Sequence, residues 1–187
     1  MNAFASRLIL TLLFAPSVFA ASNTDLTVKG SITPSACAPL ISGGGTIDFG
    51  KMAVKDLNAE QYTSLPNQSM QLSVRCEAPT FFTLTTIDNR AGSSANHHYG
   101  HGLGMTPEGE KLGGTVFHLY APVADGVAVR TITSQDGGVT WLPTSLLTHT
   151  MLTAIARGNQ LVPIAVRDFD AQIRLYTHIA PADSLTL

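Results

Sequence analysis

The sequence predicts an all-β sandwich, and three observations carry that prediction. Alternating apolar and polar runs recur at residues 26–32, 69–76, 81–87, 115–120, 127–133 and 173–179, the period of strands with one buried face. Gly, Pro, Asn and Asp clusters separate short runs at roughly 8–12 residue spacing with no sustained helical period, the pattern of a sandwich. Two cysteines, Cys37 and Cys76, follow or close two of these runs, the second on its apolar side.

The first twenty residues read as a signal peptide rather than as fold. Arg7 gives a positive start, residues 8–15 are apolar, and Val18-Phe19-Ala20 fits a small-residue cleavage site. Neither that run nor any later one reaches the ~20 apolar residues of a spanning helix. The expected course is export, and residues 21–187 are the size of one domain. With eleven Lys and Arg against thirteen Asp and Glu, and 13% charged residues, there is no basic patch for nucleic acid and no polybasic anchor for lipid.

Residues 21–33 form the leading alternating strand, with Leu26, Val28 and Ile32 on one edge and Gly30 in their phase, while residues 34–187 form the sandwich. Pro34 ends the strand. In an oxidising compartment Cys37 and Cys76 are most simply one disulfide, closing a loop worth roughly 4 kcal/mol of chain entropy. A two-cysteine metal or redox site is the alternative, weakened by the lack of C-x-x-C and of any neighbouring histidine. Pro39 and the glycines at 43–45 predict a loop, residues 46–49 a short strand closed by Gly50, and residues 51–67 a helical turn or irregular crossing. Residues 69–76 are the clearest strand, with Met70, Leu72, Val74 and Cys76 in phase. Pro79 breaks the run, and residues 81–87 resume it with Phe82, Leu84 and Thr86 in one phase. Residues 88–114 predict a long exposed loop. Strands follow at 115–120 and 127–133, then a turn at 136–138 leading into 140–142. Residues 151–156 fit a strand or helical turn, residues 161–166 an edge or bulge around Pro163, and residues 173–179 a last alternating strand.

Three histidines, His97, His98 and His101, fall within five residues and are a weak metal candidate. The glycines at 100, 102 and 104, with no carboxylate or cysteine close by in sequence, favour a solvated loop. No metal or cofactor is expected. Ser134-Gln135-Asp136-Gly137-Gly138-Val139-Thr140-Trp141 resembles the Asp-box of sialidase propellers, in which the equivalents of Asp136 and Gly138 shape a hairpin turn and Trp141 packs beneath it. A propeller repeats the motif, and here it occurs once, so the role is structural. There is no G-x-S-x-G, and Asp48, Asp88, Asp125 and Asp136 sit in turn-like contexts. An enzyme is not expected.

Val28-Lys29-Gly30-Ser31-Ile32 reaches Cys37 seven residues after Gly30, Phe49-Gly50 follows, and Leu72-Ser73-Val74-Arg75-Cys76 closes the strand. This arrangement resembles the chaperone–usher fimbrial subunits, or pilins. Residues 42–45, Asp88-Asn89-Arg90 and the Asp-box-like turn resemble a group of fimbrial-like exported proteins with a domain of unknown function. The resemblance implies an immunoglobulin-like, pilin-type sandwich open along a groove. A periplasmic chaperone fills that groove during export, and the leading strand of the next subunit then replaces it. Leu26, Val28, Gly30 and Ile32 become the strand-exchange candidates. The implied partners are the chaperone, an usher, neighbouring fimbrial subunits and a host glycan or receptor; the implied location is the periplasm and then the cell surface. Where pilins carry a late glycine and a penultimate tyrosine, this sequence has Arg174 and Thr186, and residues 184–187 read as a strand beginning, so the sandwich is expected to be incomplete at its carboxy-terminal strand. The expected function is a structural or adhesive subunit of a fimbria-like assembly; the alternative is a standalone secreted module that binds a glycan or host ligand through residues 88–114.

Overall fold

The computed structural model describes residues 36–95 and 98–186. The signal peptide, the leading strand with Leu26, Val28, Gly30 and Ile32, and His97 lie outside the described residues. The strands are β1 (Cys37–Ile41), β2 (Thr63–Ser64), β3 (Gln68–Thr80), β4 (His101–Gly102), β5 (Gly113–Ala124), β6 (Val127–Ala128), β7 (Arg130–Ser134), β8 (Leu142–Pro143), β9 (Leu146–Leu147), β10 (Leu152–Ala156) and β11 (Val166–Ile179). Helical structure among the described residues is confined to short 3₁₀ turns at Ser42–Gly45, Val54–Asp56 and Ala182–Ser184. The molecule is an all-β sandwich of antiparallel sheets. The large sheet runs β1-β3-β11-β5-β4, with β2 on β11 and with β6 and β9 on β5; the small one runs β10-β7-β8.

Alternation sets the register of the large sheet. In β3, Leu72, Val74 and Cys76 are buried while Arg75 between them is exposed. In β11, Phe169, Ala171, Ile173, Leu175 and Thr177 face inward in the same phase. All of these but Thr177 join Leu119, Leu147, Ile155 and Val166 in one apolar core, and Phe82 meets the fully buried Phe169 edge-on at 6.1 Å. Each Val, Leu, Ile or Phe among them stabilises the fold by about 1.5–3 kcal/mol when fully buried. A smaller cluster, Ile132, Ala154 and Ala156 with Trp141, belongs to the small sheet. Gly113 has to be glycine: its φ is 148°, and a Cβ there would lie 2.1 Å from the His178 carbonyl oxygen, a collision within the β5–β11 ladder.

Several elements differ from the sequence expectation, each for a physical reason. β1 begins at Cys37 and includes Pro39, which an edge strand tolerates because one side needs no ladder donor. Residues 46–49 do not pair as a strand, although Ile47 and Phe49 turn inward. β3 continues through Pro79 to Thr80, next to a register shift in its pairing with β11. Residues 161–165 carry no strand, and of residues 140–142 only Leu142 enters one. Residues 88–114 are not an open loop. Asp88 accepts from the backbone N–H of Arg90 and Gly102, Ser93 Oγ donates to the Arg90 carbonyl and accepts from Gly104, and Ala95 N–H reaches the Gly113 carbonyl. Residues 182–184 form a 3₁₀ turn, and Thr186 binds Glu110 rather than opening a strand.

Candidate functional site

Cys37 and Cys76 are directly opposed in the β1–β3 ladder and form a disulfide with Cα atoms 4.0 Å apart. The bond fixes β1 at the margin of the large sheet. Beside it, the inner face of that sheet is covered unevenly. Phe169 is fully buried, with Phe82 packed edge-on against it. Toward Met70 and Phe117 it is open. A cavity of about 390 Å³ lies between Pro39, Ile41, Met70, Leu72, Phe117 and Ile173. A second, of about 360 Å³, adjoins it between Ile47, Phe49, Met52, Leu65, Leu103 and Leu175. Gly45, Met70 and Phe117 are walls of both, and no charged side chain lines either one. Ile41, one of the walls, is 44% exposed. Such a groove accepts an extended apolar chain whose alternate side chains drop into successive pockets. Its polar wall residues are Thr85 and Thr86 in the first cavity and Thr115 and Thr177 in the second.

The other face of the β3–β11 pair is polar. Arg75 forks onto Asp170, with Nη2 at 2.8 and 3.0 Å from the two carboxylate oxygens, and Asp168 lies 3.5 Å from Nε. The hydrogen bond from Arg75 holds the Asp170 carboxyl below its ordinary range, and Asp170 in turn raises Arg75. Farther along, Tyr120 and Tyr176 share a hydroxyl–hydroxyl bond of 2.8 Å, Arg174 stacks 4.2 Å over Tyr120, and His118 meets Tyr176 edge-on. This cluster was not singled out from the sequence. Its signal is there, in positions 116, 118 and 120 and positions 174, 176 and 178, which fall in the phase opposite the core.

The Asp136 turn is a closed hydrogen-bonded unit. Ser134 Oγ donates to the Asp136 carboxylate and accepts from Gly138 N–H, while the carboxylate accepts from the backbone N–H of Val139 and Thr140 and from the Thr140 hydroxyl. These donors, Thr140 foremost, push the Asp136 carboxyl far below its ordinary value. Trp141 Nε1 donates to the Gly138 carbonyl at 3.0 Å, and its ring packs on the small-sheet cluster. The polar side chains of Ser134, Asp136 and Thr140 are spent on the turn itself, which suits a structural role.

His98 and His101 have different environments. His98 is exposed and lies against Tyr99. His101 is 7% exposed, binds Thr86 Oγ1 through Nε2 at 2.7 Å, and packs between Phe117 and His149. Burial, then His149, lower its basicity, and Asp88 opposes them. Among the described residues no three histidines, cysteines or carboxylates converge as metal ligands, and no helix is long and apolar enough to cross a membrane.

The family described as "Protein of unknown function (DUF1120)" matches residues 26–100, a span holding both cysteines and the β1–β3 side of the groove. Protein GltF of Escherichia coli (strain K12) is 31% identical over 115 residues, covering 49% of this chain and 45% of GltF. The uncharacterized protein YhcF of the same organism is 32% identical over 80 residues, covering 43% of this chain and 34% of YhcF. The chain thus spans less than half the length of these curated relatives. No solved structure matches.

Proposed function

We propose that this chain is a structural or adhesive subunit of a fimbria-like surface assembly, exported with a periplasmic chaperone and an usher and joined to its neighbours by strand complementation. The observation that carries the reading is the open apolar groove walled by Ile41, Met70, Leu72, Phe117 and Ile173. A strand laid there would bury alternate side chains and hydrogen-bond through its main chain, and residues 26–32 have that alternation. The pilin-like spacing of Gly30, Cys37 and Cys76 supports the same reading.

A peptide of residues 21–33 added to a chain lacking both the signal peptide and that segment tests it. We expect saturable binding and a rise in melting temperature, equivalent to about 2.7 kcal/mol at a hundredfold excess over the dissociation constant. Calorimetry showing neither heat nor stabilisation would reject strand complementation. A standalone secreted module would then be the better reading, and the polar cavity between Asp88, His98, Lys111 and His149 would be the place to look for a glycan.

A further inference from the structure

The outer face of the β5–β11 ladder gathers aromatic rings around a hollow. A cavity of about 220 Å³ lies there between Tyr99, Val116, His118, Leu146, Tyr176 and His178. Register explains the gathering. His118 stands opposite Arg174 and Val116 opposite Tyr176, and residues of one phase follow each other at about 7 Å along a strand. His118 bonds Ser145 Oγ through Nδ1 at 2.9 Å, and among the described residues its Nε2 makes no hydrogen bond. Arg174 borders the hollow. It lies 4.2 Å over the Tyr120 ring, and the Tyr176 hydroxyl is made more acidic first by Tyr120 and then by Arg174. No carboxylate lines the cavity. Among the described residues the Arg–carboxylate ion pairs all belong to Arg75, so Arg174 has no acidic partner. Its cross-strand neighbours are Ser69 and His118, and Asp170, four residues earlier on the same face, is held by Arg75.

We propose that this face binds a sugar ring carrying a carboxylate, of the uronic or sialic acid class. The ring lies against Tyr99 and Tyr176 in the cavity, and its carboxylate reaches Arg174. The site is on the face of the sheet opposite Phe117 and Ile173 and needs no incoming strand, so it goes beyond the groove reading. Charge and shape select this ligand together. The faces of aromatic rings are negative, and the C–H-lined face of a pyranose packs on them. A guanidinium free of carboxylates offers a fork of N–H donors that a carboxylate matches bidentately, and the stack on Tyr120 orients that fork in advance. His118 Nε2 supplies one of the few polar contacts that fix a ligand in such a pocket. Inorganic phosphate would meet the cation and leave the rings unused, whereas a neutral sugar would use the rings and leave Arg174 unpaired. Cross-strand aromatic pairs that only stabilise the sheet would require neither the hollow nor an unpaired cation beside it.

Calorimetry and amide NMR shifts test the site. The chain lacking residues 1–20 is titrated with methyl glucuronide, methyl galacturonide and N-acetylneuraminate, with methyl glucoside and acetate as controls. At least one of the acids should bind saturably, about tenfold or more tighter than methyl glucoside and than acetate, and shift the amides of residues 116–120 and 174–178. Arg174→Gln should remove the advantage of the acid over methyl glucoside while the melting temperature stays nearly unchanged, and Arg174→Lys should restore part of it. Tyr99→Ala should weaken acid and glucoside alike. No saturable binding by any of the three acids overturns the proposal. So does equal affinity for methyl glucoside or for acetate, and so do shifts confined to Asp88, His98 and His149, which would move the site to the other polar cavity. If Arg174→Gln does not fold, the shifts of the unaltered chain and its preference for the acid decide. Failure here leaves strand complementation standing, because the 21–33 peptide is tested on the opposite face.

Discussion

The surroundings of His101 lower its basicity. It is buried against Phe117 and His149, bonded to Thr86, and Asp88 only partly offsets the cost of charging it. A histidine lowered in the fold below its unfolded value near 6.5 stabilises the protein above that value and loses its contribution as pH falls through it. We expect the melting temperature to drop between neutral pH and pH 5, with a shallower drop in His101→Gln, measured by thermal scans across that range. Equal slopes would assign the sensitivity to another group, and His118, also lowered by burial, is the first to try. Sequence gives uneven access to residues of this kind. The Asp136 turn is legible because all its partners lie within seven positions of one another. His101 is not, because its partners Thr86, Phe117 and His149 come from separate stretches and only the fold shows that it is buried.

β3 and β11 carry the large sheet, and the disulfide ties β1 to the first of them. Replacing both Cys37 and Cys76 with serine frees a loop of 39 residues and should cost roughly 4 kcal/mol. For a domain of this size that lowers the melting temperature by about 10 °C. Urea unfolding of the oxidised and variant chains at equal pH checks the figure, and a difference under about 1 kcal/mol would show that the unfolded chain is already restrained. Strands whose neighbours bury one face were legible from alternation alone, as β3 and the Ile173–Ile179 half of β11 show. The pieces that escaped are short or proline-bearing. β1 spends five residues on an edge and contains Pro39, and residues 46–49 supply inward side chains without any ladder. Side-chain phase is written in the sequence, whereas hydrogen-bond partnership depends on what happens to lie alongside.

At the scale of the whole molecule the uneven cover of the large sheet matters most. Phe169 is fully enclosed, yet Met70 and Phe117 in the same layer border open cavities. A chain lacking residues 1–33 should therefore take up an environment-sensitive apolar dye without losing its cooperative unfolding transition, and the 21–33 peptide should displace the dye. Dye that stays bound at saturating peptide would separate the apolar surface from the peptide site. The groove walls were partly legible, since Met70, Leu72 and Ile173 stand in core phase. Their openness was not, because phase says which side chains face inward and nothing about how much lies opposite.

The position of the sulfur bridge has a mechanical consequence. Cys37 is the first residue of β1, so a pull on the polypeptide ahead of it passes straight into β3 through a covalent link. The noncovalent rungs between the two strands are spared, and extension under load has to begin at some other joint.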